Sequence, residues 1–375
     1  MPDVGYRLYF NNEPATRDQL DRVEEITVEQ QVDMAWEARL QIPICTDENG
    51  KWTAEDEEFM APFGRVRVEI KVGEADFVPL IDGPIVGHDS QMSSEPGQSA
   101  TTLIVQDDSA YLNREEKINP YENKLDHEVA EELYGDVEQI AETDIEETPP
   151  PPDGSLTPVE MQRGTQMSLL RHLAKRQGMH AYVLPGEEPG QSIGAFRRFP
   201  TEPGDLPPLI LLGPDRNVHT FNVKNDAQSP SSVEAYSLSI TDKVVTKATS
   251  QFRDLELLGG EAAFKSEKET TKRILPPGQD GTVDANQAVA AEAANSSFAF
   301  EAVGDVMGDC YAGVLAPYQV VTVKGVNARL SGNYVIKKVT HKLTRSDYSQ
   351  TFSLLRNARS EGSGGGLEDL AGSIF

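Results

Sequence analysis

Alternating apolar and polar residues dominate the first 110 positions and predict β-strands there. The clearest example is 65–72, Arg-Val-Arg-Val-Glu-Ile-Lys-Val, in which every second side chain is apolar and the others are charged. A strand with this period presents one apolar face and one charged face. Asn49-Gly50 predicts a hairpin turn. Further strands are predicted at 20–30, 32–44, 77–86 and 101–106.

Helical periodicity replaces this alternation after Lys124. Apolar residues recur at three- or four-residue intervals from 125 to 140, with acids on the opposite face, and predict a helix. A second helix is predicted over 166–177, with Gly178 as its C-terminal cap. Between the two helices, residues 148–154 contain four consecutive prolines and predict a stiff extended linker.

The rest of the chain returns to strand-like segments, interrupted by an alanine-rich stretch, 285–307, that predicts a third helix. The block 318–356 alternates again and predicts three strands. A Gly/Ser tract, 362–366, then predicts a flexible linker to a short apolar peptide, 367–375, which either docks on another protein or frays. The remaining predicted strands are 181–184, 209–212, 218–223 and 233–241.

Three matches between the two ends of the chain indicate an internal repeat. They keep the same order, and the offset between them drifts only by loop-sized steps, which favours a duplicated antiparallel β unit over a chance recurrence of valine-rich strands. In this interpretation His88 and His341 occupy equivalent positions, so neither is a unique catalytic residue. The matches are 61–68 with 316–323, 86–88 with 339–341, and 102–103 with 351–352.

Length and composition exclude several classes of protein. A chain of 375 residues predicts two or three domains, and two cysteines exclude a disulfide-stapled fold. The first residues lack the basic-then-apolar layout of a signal peptide, and no run approaches the roughly 18 apolar residues of a membrane span. We therefore expect a protein made in the cytoplasm without a signal peptide and without a membrane span.

The net charge of −27 is unevenly distributed. Such a charge repels nucleic acid and anionic membranes over most of the surface, so no nucleic-acid specificity is expected. The segment 317–359 nevertheless has eight basic residues and one acid, whereas 126–147 has ten acids and no lysine or arginine. Two interpretations stay open: the basic segment binds an acidic surface during assembly, or the two segments are solvated faces of opposite sign.

Motifs for catalysis and ligand binding are weak. Residues 190–194 match G-x-S-x-G but lack the preceding strand and following helix that a nucleophile elbow requires. His172 and His180 are eight residues apart, which is not the spacing of two ligands on one helical face. The loop 47–50 resembles part of a calcium loop but fits a hairpin turn better. We predict no catalytic, cofactor-binding or metal-binding residues and no cofactor.

The C-terminal block nevertheless resembles a known family. Residues 318–325, 330–336, 339–341 and 348–357 resemble the closing segment of the phage late-control D, or tail hub, family, which is similar to the hub region of VgrG and of contractile injection systems. Residues 169–179 resemble that family's FLxxLAxxxG helix, with Leu169 in the usual aromatic position. Residues 107–114 resemble its post-barrel segment.

This resemblance implies an α+β, mainly β fold with two similar antiparallel β-barrels and helical insertions. It further implies a homotrimer in which six barrels form a pseudo-sixfold ring between a sixfold tail tube and a threefold spike. The segments 61–102 and 317–359 are expected to line the ring. VgrG-type chains continue into a spike, whereas this sequence stops at Phe375, so the spike is expected to be a separate protein.

The resemblance also yields a domain division and a non-enzymatic function in the baseplate of a virion or extracellular contractile particle, alongside other baseplate proteins. The alternatives are a cell-wall or polysaccharide hydrolase of such a particle, or a glycan-binding tail module. The 367–375 peptide is expected to bind the spike or another baseplate protein. The predicted divisions are 1–112 for the first β-barrel, 113–205 for an α+β domain with the acidic helix and proline-rich linker, 206–250 plus 311–358 for the second β-barrel, 251–310 for a helical insertion, and 359–375 for a flexible tail.

Overall fold

Antiparallel strands from both ends of the chain join in one 13-stranded sheet. Strands account for 46% and helices for 14% of the structure, which confirms the mainly β, α+β class. The predicted linker beyond residue 150, the Gly/Ser tract and the apolar C-terminal peptide lie outside the described residues. The structure is a computed structural model that describes residues 4–53, 57–150, 159–238, 243–250, 255–263, 270–275, 285–308, 310–345 and 347–360.

The N-terminal segment contributes seven strands to this sheet. Most of its predicted strands are confirmed, but 20–30 begins as a helix, because Thr16 and Gln19 form a capping box at its N-terminus. The elements are β1 (Val4–Phe10), β2 (Glu13–Pro14), α1 (Arg17–Arg22), β3 (Glu25–Gln31), β4 (Glu37–Pro43), a single 3-10 turn (Glu58–Met60), β5 (Arg65–Val72), β6 (Val78–Gln91) and β7 (Ala100–Gln106).

The middle segment packs helices against two small sheets around a core of its own. The helix predicted over 166–177 is confirmed at both ends, since Thr165 caps its N-terminus and Gly178 ends it at φ +70°. The helix predicted from 125 instead ends at Gly135, and Ile140 already belongs to a strand. The elements are α2 (Ser109–Leu112), β8 (Glu116–Tyr121), α3 (Asp126–Gly135), β9 (Ile140–Ile145), β10 (Glu160–Thr165), α4 (Gln166–Gln177), β11 (His180–Pro185) and β12 (Ser192–Arg197).

The C-terminal segment completes the large sheet and adds a small three-stranded sheet that packs against a helix. The three strands predicted in 318–356 are confirmed. The elements are β13 (Leu209–Ile210), β14 (Val218–Asn225), β15 (Ser231–Leu238), β16 (Val245–Thr249), β17 (Glu261–Ala262), β18 (Thr271–Ile274), α5 (Ala285–Asn295), β19 (Phe300–Val306), β20 (Val320–Lys324), β21 (Gly332–Thr344), β22 (Tyr348–Arg356) and β23 (Ala358–Arg359).

The helix predicted over 285–307 is right for its first half and wrong for its second. The helix ends at Asn295, and burial then alternates residue by residue along β19, as in a strand with one covered face. This strand pairs with β14 on one side and β22 on the other. Residues 300–306 of the segment predicted as a helical insertion therefore belong to the large sheet.

Two groups of six strands follow the same order within that sheet. We call β1-β5-β6-β7-β4-β3 the first unit and β13-β20-β21-β22-β19-β14 the second unit. Phe63 and Tyr318 both have φ of 63° and donate their N–H groups to the carbonyls of Ile85 and Ile336. A register shift follows each of these isoleucines, so the matches 61–68 with 316–323 and 102–103 with 351–352 are equivalent positions.

The predicted equivalence of His88 and His341 is wrong by two residues. His88 lies opposite Leu103, and the position opposite the equivalent Phe352 is Val339. His341 instead corresponds to Ser90. A shift of two residues leaves every side chain on the same face of a strand, so the sequence pattern could not reveal the slip.

Candidate functional site

The two units join where β3 of the first unit pairs with residues 338–344 of β21 in the second, a contact we call the internal junction. The pairing is antiparallel over seven positions, from Gln31 opposite Lys338 to Glu25 opposite Thr344. The N–H of Val32 extends it by donating to the carbonyl of Lys337 at 2.9 Å. This junction makes one continuous sheet from strands that lie near opposite ends of the sequence.

Charge complementarity accompanies the internal junction. The Lys338 ammonium lies 2.7 Å from the Glu29 carboxylate, and Lys342 lies 2.9 Å from Glu25. All four side chains are partly exposed, so each pair contributes about 0.2–1 kcal/mol and acts mainly on register. Part of the basic segment 317–359 therefore binds acids of the chain's own first unit.

Apolar and hydrogen-bonded side chains fill the inner face of this junction. Ile26 and Leu343, which lie opposite each other, are 2% and 3% exposed. The buried His341 ring contacts the Tyr348 hydroxyl at 2.9 Å and the Gln30 amide oxygen at 3.2 Å. Burial lowers the pKa of His341 to about 3, so the ring is neutral at physiological pH. Its partners give His341 a structural role in holding β3 against β21.

Three of the four charged side chains on the face predicted for 65–72, those of Arg65, Arg67 and Glu69, are buried in the structure. Arg65 donates two hydrogen bonds of 2.8 Å to the Asp108 carboxylate and one of 2.7 Å to Asp82. Arg67 donates to Glu69 at 2.7 Å and to Asp82 at 3.1 Å. Buried charges are tolerated because each has an opposite charge and directed hydrogen bonds.

Arg67 also fastens the middle segment to the first unit. Its guanidinium donates to the carbonyls of Gly186, Glu187 and Glu188 at 2.8 to 3.1 Å. The N–H of Gly190 donates to Asp82 at 2.9 Å, so the loop 186–190 is held from both ends. Sequence analysis missed this network, although arginines at alternate positions of an apolar strand in an acidic chain were a usable signal.

The G-x-S-x-G motif belongs to the same network. Ser192 is buried at the start of β12, and its hydroxyl donates to Asp108 at 2.6 Å. The residues after it form a strand, so the strand–turn–helix geometry of a nucleophile elbow is not present here. This arrangement uses the serine proton in a structural hydrogen bond.

The other sequence candidates lie apart from this network. His172 is exposed on α4, whereas His180 is buried and contacts the Asp33 carboxylate at 2.8 Å. Asp47 accepts hydrogen bonds from the N–H groups of Asn49 and Lys51, which confirms the hairpin turn at 47–50. Across the described ranges, no group of three or more His, Cys, Asp and Glu side chains is arranged to hold a metal ion.

Asp107 supports the start of the middle segment. Its carboxylate accepts hydrogen bonds from the N–H groups of Trp36 and Ser109 at 2.6 and 3.0 Å. Burial raises the pKa of Asp107 to about 6.

No helix in the described part of the chain combines the length and apolarity of a membrane crossing.

Comparison with solved structures identifies the fold. A tail protein from Neisseria meningitidis MC58 matches with a TM-score of 0.59 at 15% identity, covering 94% of this chain and 96% of that one. The 43 kDa tail protein of prophage MuSo2 from Shewanella oneidensis matches with a TM-score of 0.61 at 13% identity, covering 94% and 98%. No protein-family model and no curated protein matches the sequence.

A third similar structure comes from a secretion system. It is an Escherichia coli component of the type VI secretion system described as structurally similar to the T4 bacteriophage tail proteins gp27 and gp5. The match has a TM-score of 0.54 at 12% identity and covers 89% of this chain and 73% of that one. The chain therefore has the fold of these phage tail and type VI secretion proteins, which confirms at the level of fold the resemblance to tail hubs seen in its sequence.

Proposed function

We propose that this protein is a structural hub of a phage-type tail or contractile injection particle, and that three copies form a ring. Each unit curls into a barrel, and six barrels surround a central opening with pseudo-sixfold symmetry. The observation that carries the proposal is the presence of two units with the same strand order in one chain. Three copies of a duplicated unit supply six similar positions while keeping true threefold symmetry.

Such a ring resolves a symmetry mismatch. Its pseudo-sixfold side fits a sixfold tail tube, and its threefold differences fit a threefold spike. One such difference is the small sheet β16-β15-β18 with α5, which lies in the sequence between β14 and β19 of the second unit, whereas residues 32–36 alone join β3 to β4 in the first. The tube protein, a threefold spike and other baseplate proteins are the proposed partners, and the particle is the proposed location. The peptide 367–375 is proposed to bind the spike or a neighbouring baseplate protein.

The proposed role is non-enzymatic. Hydrolases of polysaccharides need two carboxyl groups facing a substrate cleft. The buried carboxylates Asp82 and Asp108 instead bind arginine side chains. The similar structures are tail and secretion components, which also favours a structural role.

The native mass of the purified chain at moderate salt tests this proposal. We expect a species of three times the chain mass of 41.1 kDa, and ring-shaped particles with six lobes in electron micrographs. A ring with another number of subunits, or an elongated particle without a central opening, would contradict it. Lytic activity on cell-wall preparations that disappears on replacing one acid would favour the hydrolase alternative.

A further inference from the structure

The outer edge of β14 has no partner among the described residues. This strand ends the second unit and pairs only with β19. Its counterpart β3 ends the first unit, pairs with β4 and uses its outer edge for the internal junction. Exposed strand edges with free N–H and C=O groups favour pairing with another strand. The outer edge of β14 is thus the second-unit equivalent of the outer edge of β3, which pairs with β21 in the internal junction.

A second edge without a strand lies on β6. Up to Pro84 the strand pairs with β5, and beyond the register shift it pairs only with β7 within the described part of the chain. We call residues 86–91 the outer half of β6. The equivalent part of β21 binds β3 on the corresponding edge. Each unit therefore has an equivalent edge that can accept a further strand, which we call the acceptor edge. In the second unit β3 occupies it on β21, and in the first unit no described strand pairs with it on the outer half of β6.

Register pairs make the two edges comparable residue by residue. In the first unit β3 pairs with β4, which pairs with β7; in the second unit β14 pairs with β19, which pairs with β22. Following these pairs, Ile26 corresponds to Phe221 and Glu29 to Lys224. Through β7 and β22, Thr340 corresponds to Asp89 and Lys342 to Gln91, so Leu343 corresponds to Met92, the residue directly after β6. The pairs of the internal junction can then be transferred position by position.

We propose that β14 of one copy pairs antiparallel with the outer half of β6 of a second copy, in the register of the internal junction. Lys224 then lies opposite Asp89 and Asn222 opposite Gln91, and Phe221 faces Met92, one residue beyond the end of β6. The proposal deepens the proposed ring, on which it rests, by naming the strands that close it. Each copy donates one β14 and accepts one, so the contact repeats around a closed ring.

Exposure on the inner face supports this pairing. Met92 is 60% exposed, whereas the equivalent Leu343 is 3% exposed beneath β3. Phe221 is half-buried, whereas the equivalent Ile26 is buried. Ser90 and Met92 also line a groove of about 540 Å³ beside this edge. A neighbouring β14 would cover these apolar surfaces as β3 covers their equivalents.

Charge explains why the two junctions would not be confused. In the proposed contact Lys224 meets Asp89, so the donor strand is basic and the acceptor is acidic. In the internal junction the donor strand carries Glu25 and Glu29, and the acceptor carries Lys338 and Lys342. Exchange of donors would place Glu29 opposite Asp89 and Lys224 between the two lysines. Like charges at paired positions disfavour both wrong contacts.

Cysteine cross-linking tests the contact and its register. In a background with Cys45→Ser and Cys310→Ser, the pair Asn222→Cys and Gln91→Cys should form a disulfide between chains, because the two residues would face each other across paired strands. Thr27→Cys with Lys342→Cys is the matched control, since these residues are opposite in the internal junction and should close within one chain. Asn222→Cys with Asp89→Cys is two residues out of register and should cross-link poorly.

The possible outcomes distinguish failure of the proposed strand pairing from failure of the proposed ring. Disulfide-linked species that stop at three chains would support both. Species that continue beyond three would support the strand pairing and overturn threefold closure. A trimer by mass whose Asn222–Gln91 pair stays reduced, while the internal control closes, would overturn the pairing and leave the ring. A monomer without cross-links would overturn both.

Charge reversal gives an independent test with the cysteines unchanged. Asp89→Lys and Lys224→Glu should each weaken association about tenfold or more, because they place like charges opposite each other. The double variant restores opposite charges and should recover most of the affinity. Additive losses in the double variant would overturn the proposed opposition of these residues. Circular dichroism should show unchanged folding, because both side chains are exposed.

Discussion

Replacing Arg67 with methionine should loosen the connection between the first unit and the middle segment. Methionine keeps much of the apolar stem but removes a guanidinium that is 2% exposed. The substitution leaves Asp82 with one fewer cation and frees the carbonyls of Gly186, Glu187 and Glu188 from their shared donor.

The expected cost follows from those contacts. Removing one partner of a buried ion pair typically destabilises a protein by about 3–5 kcal/mol, and each buried carbonyl left without a donor adds about 1–3 kcal/mol unless water reaches it. The loop 186–190 can move toward solvent, so the carbonyl costs do not add fully. We therefore expect a loss of about 3–5 kcal/mol, or roughly 4–6 °C in the melting midpoint for a chain of 375 residues.

Thermal unfolding and amide hydrogen exchange together measure this effect. Exchange should accelerate in residues 186–192 more than in α4, because the loop loses its anchor while the helix keeps its own core. Arg17→Met is the control, since its side chain is 93% exposed and its loss should cost under about 0.5 kcal/mol. Arg67→Lys should fall between the two, because one ammonium cannot reach all the acceptors. A cost below about 1 kcal/mol for Arg67→Met, or unchanged exchange in the loop, would refute this account.

Three further predictions concern single positions. The His341 ring should stay neutral from pH 6.5 down to about 3 in histidine NMR spectra. Because the pKa of His341 is depressed in the folded state, only the unfolded chain binds the extra proton, and the free energy of unfolding should fall as pH drops through this window. A ring that titrates near 6.5 would contradict its burial. Gly83→Ala should destabilise by about 3 kcal/mol or more in denaturant titrations, since a Cβ would lie 1.9 Å from the Gln106 carbonyl oxygen; a neutral effect would show that β6 and β7 can separate there. Gly178→Ala should cost about 1–2 kcal/mol in melting experiments, because φ is +70° and the new Cβ would press on Ala291, and an unchanged midpoint would contradict this.

Local signals in the sequence predicted local structure well. Helix 166–177 was predicted from an apolar stripe and from Gly178, which act within a few residues, and the structure adds an N-terminal cap at Thr165. The alanine-rich stretch misled because alanine favours helices, whereas residues 300–306 are held as a strand by neighbours distant in sequence. The β5 alternation showed two faces but could not show that most of the charged one is covered.

The candidate site was harder to predict because it depends on pairings across most of the chain. Nothing local indicates that 25–31 lies beside 338–344, although acids four residues apart in one segment and lysines four residues apart in the other match in hindsight. The internal repeat indicated which strands are equivalent, yet its match at His88 and His341 was wrong. Register is decided by hydrogen bonds and bulges, which single-letter similarity does not record.

The internal junction also has a consequence for biosynthesis. Gln30 and its hydrogen-bond partner His341 are 311 residues apart, so β3 leaves the ribosome long before β21 exists. At about 5–20 residues per second the delay is roughly 15 to 60 s. During that time the outer edge of β3 is available to other nascent chains, and such long-range closure is intrinsically slow. Glu25 and Glu29, which later bind lysines, would meanwhile repel the same strand of another copy and so act as gatekeepers against premature association.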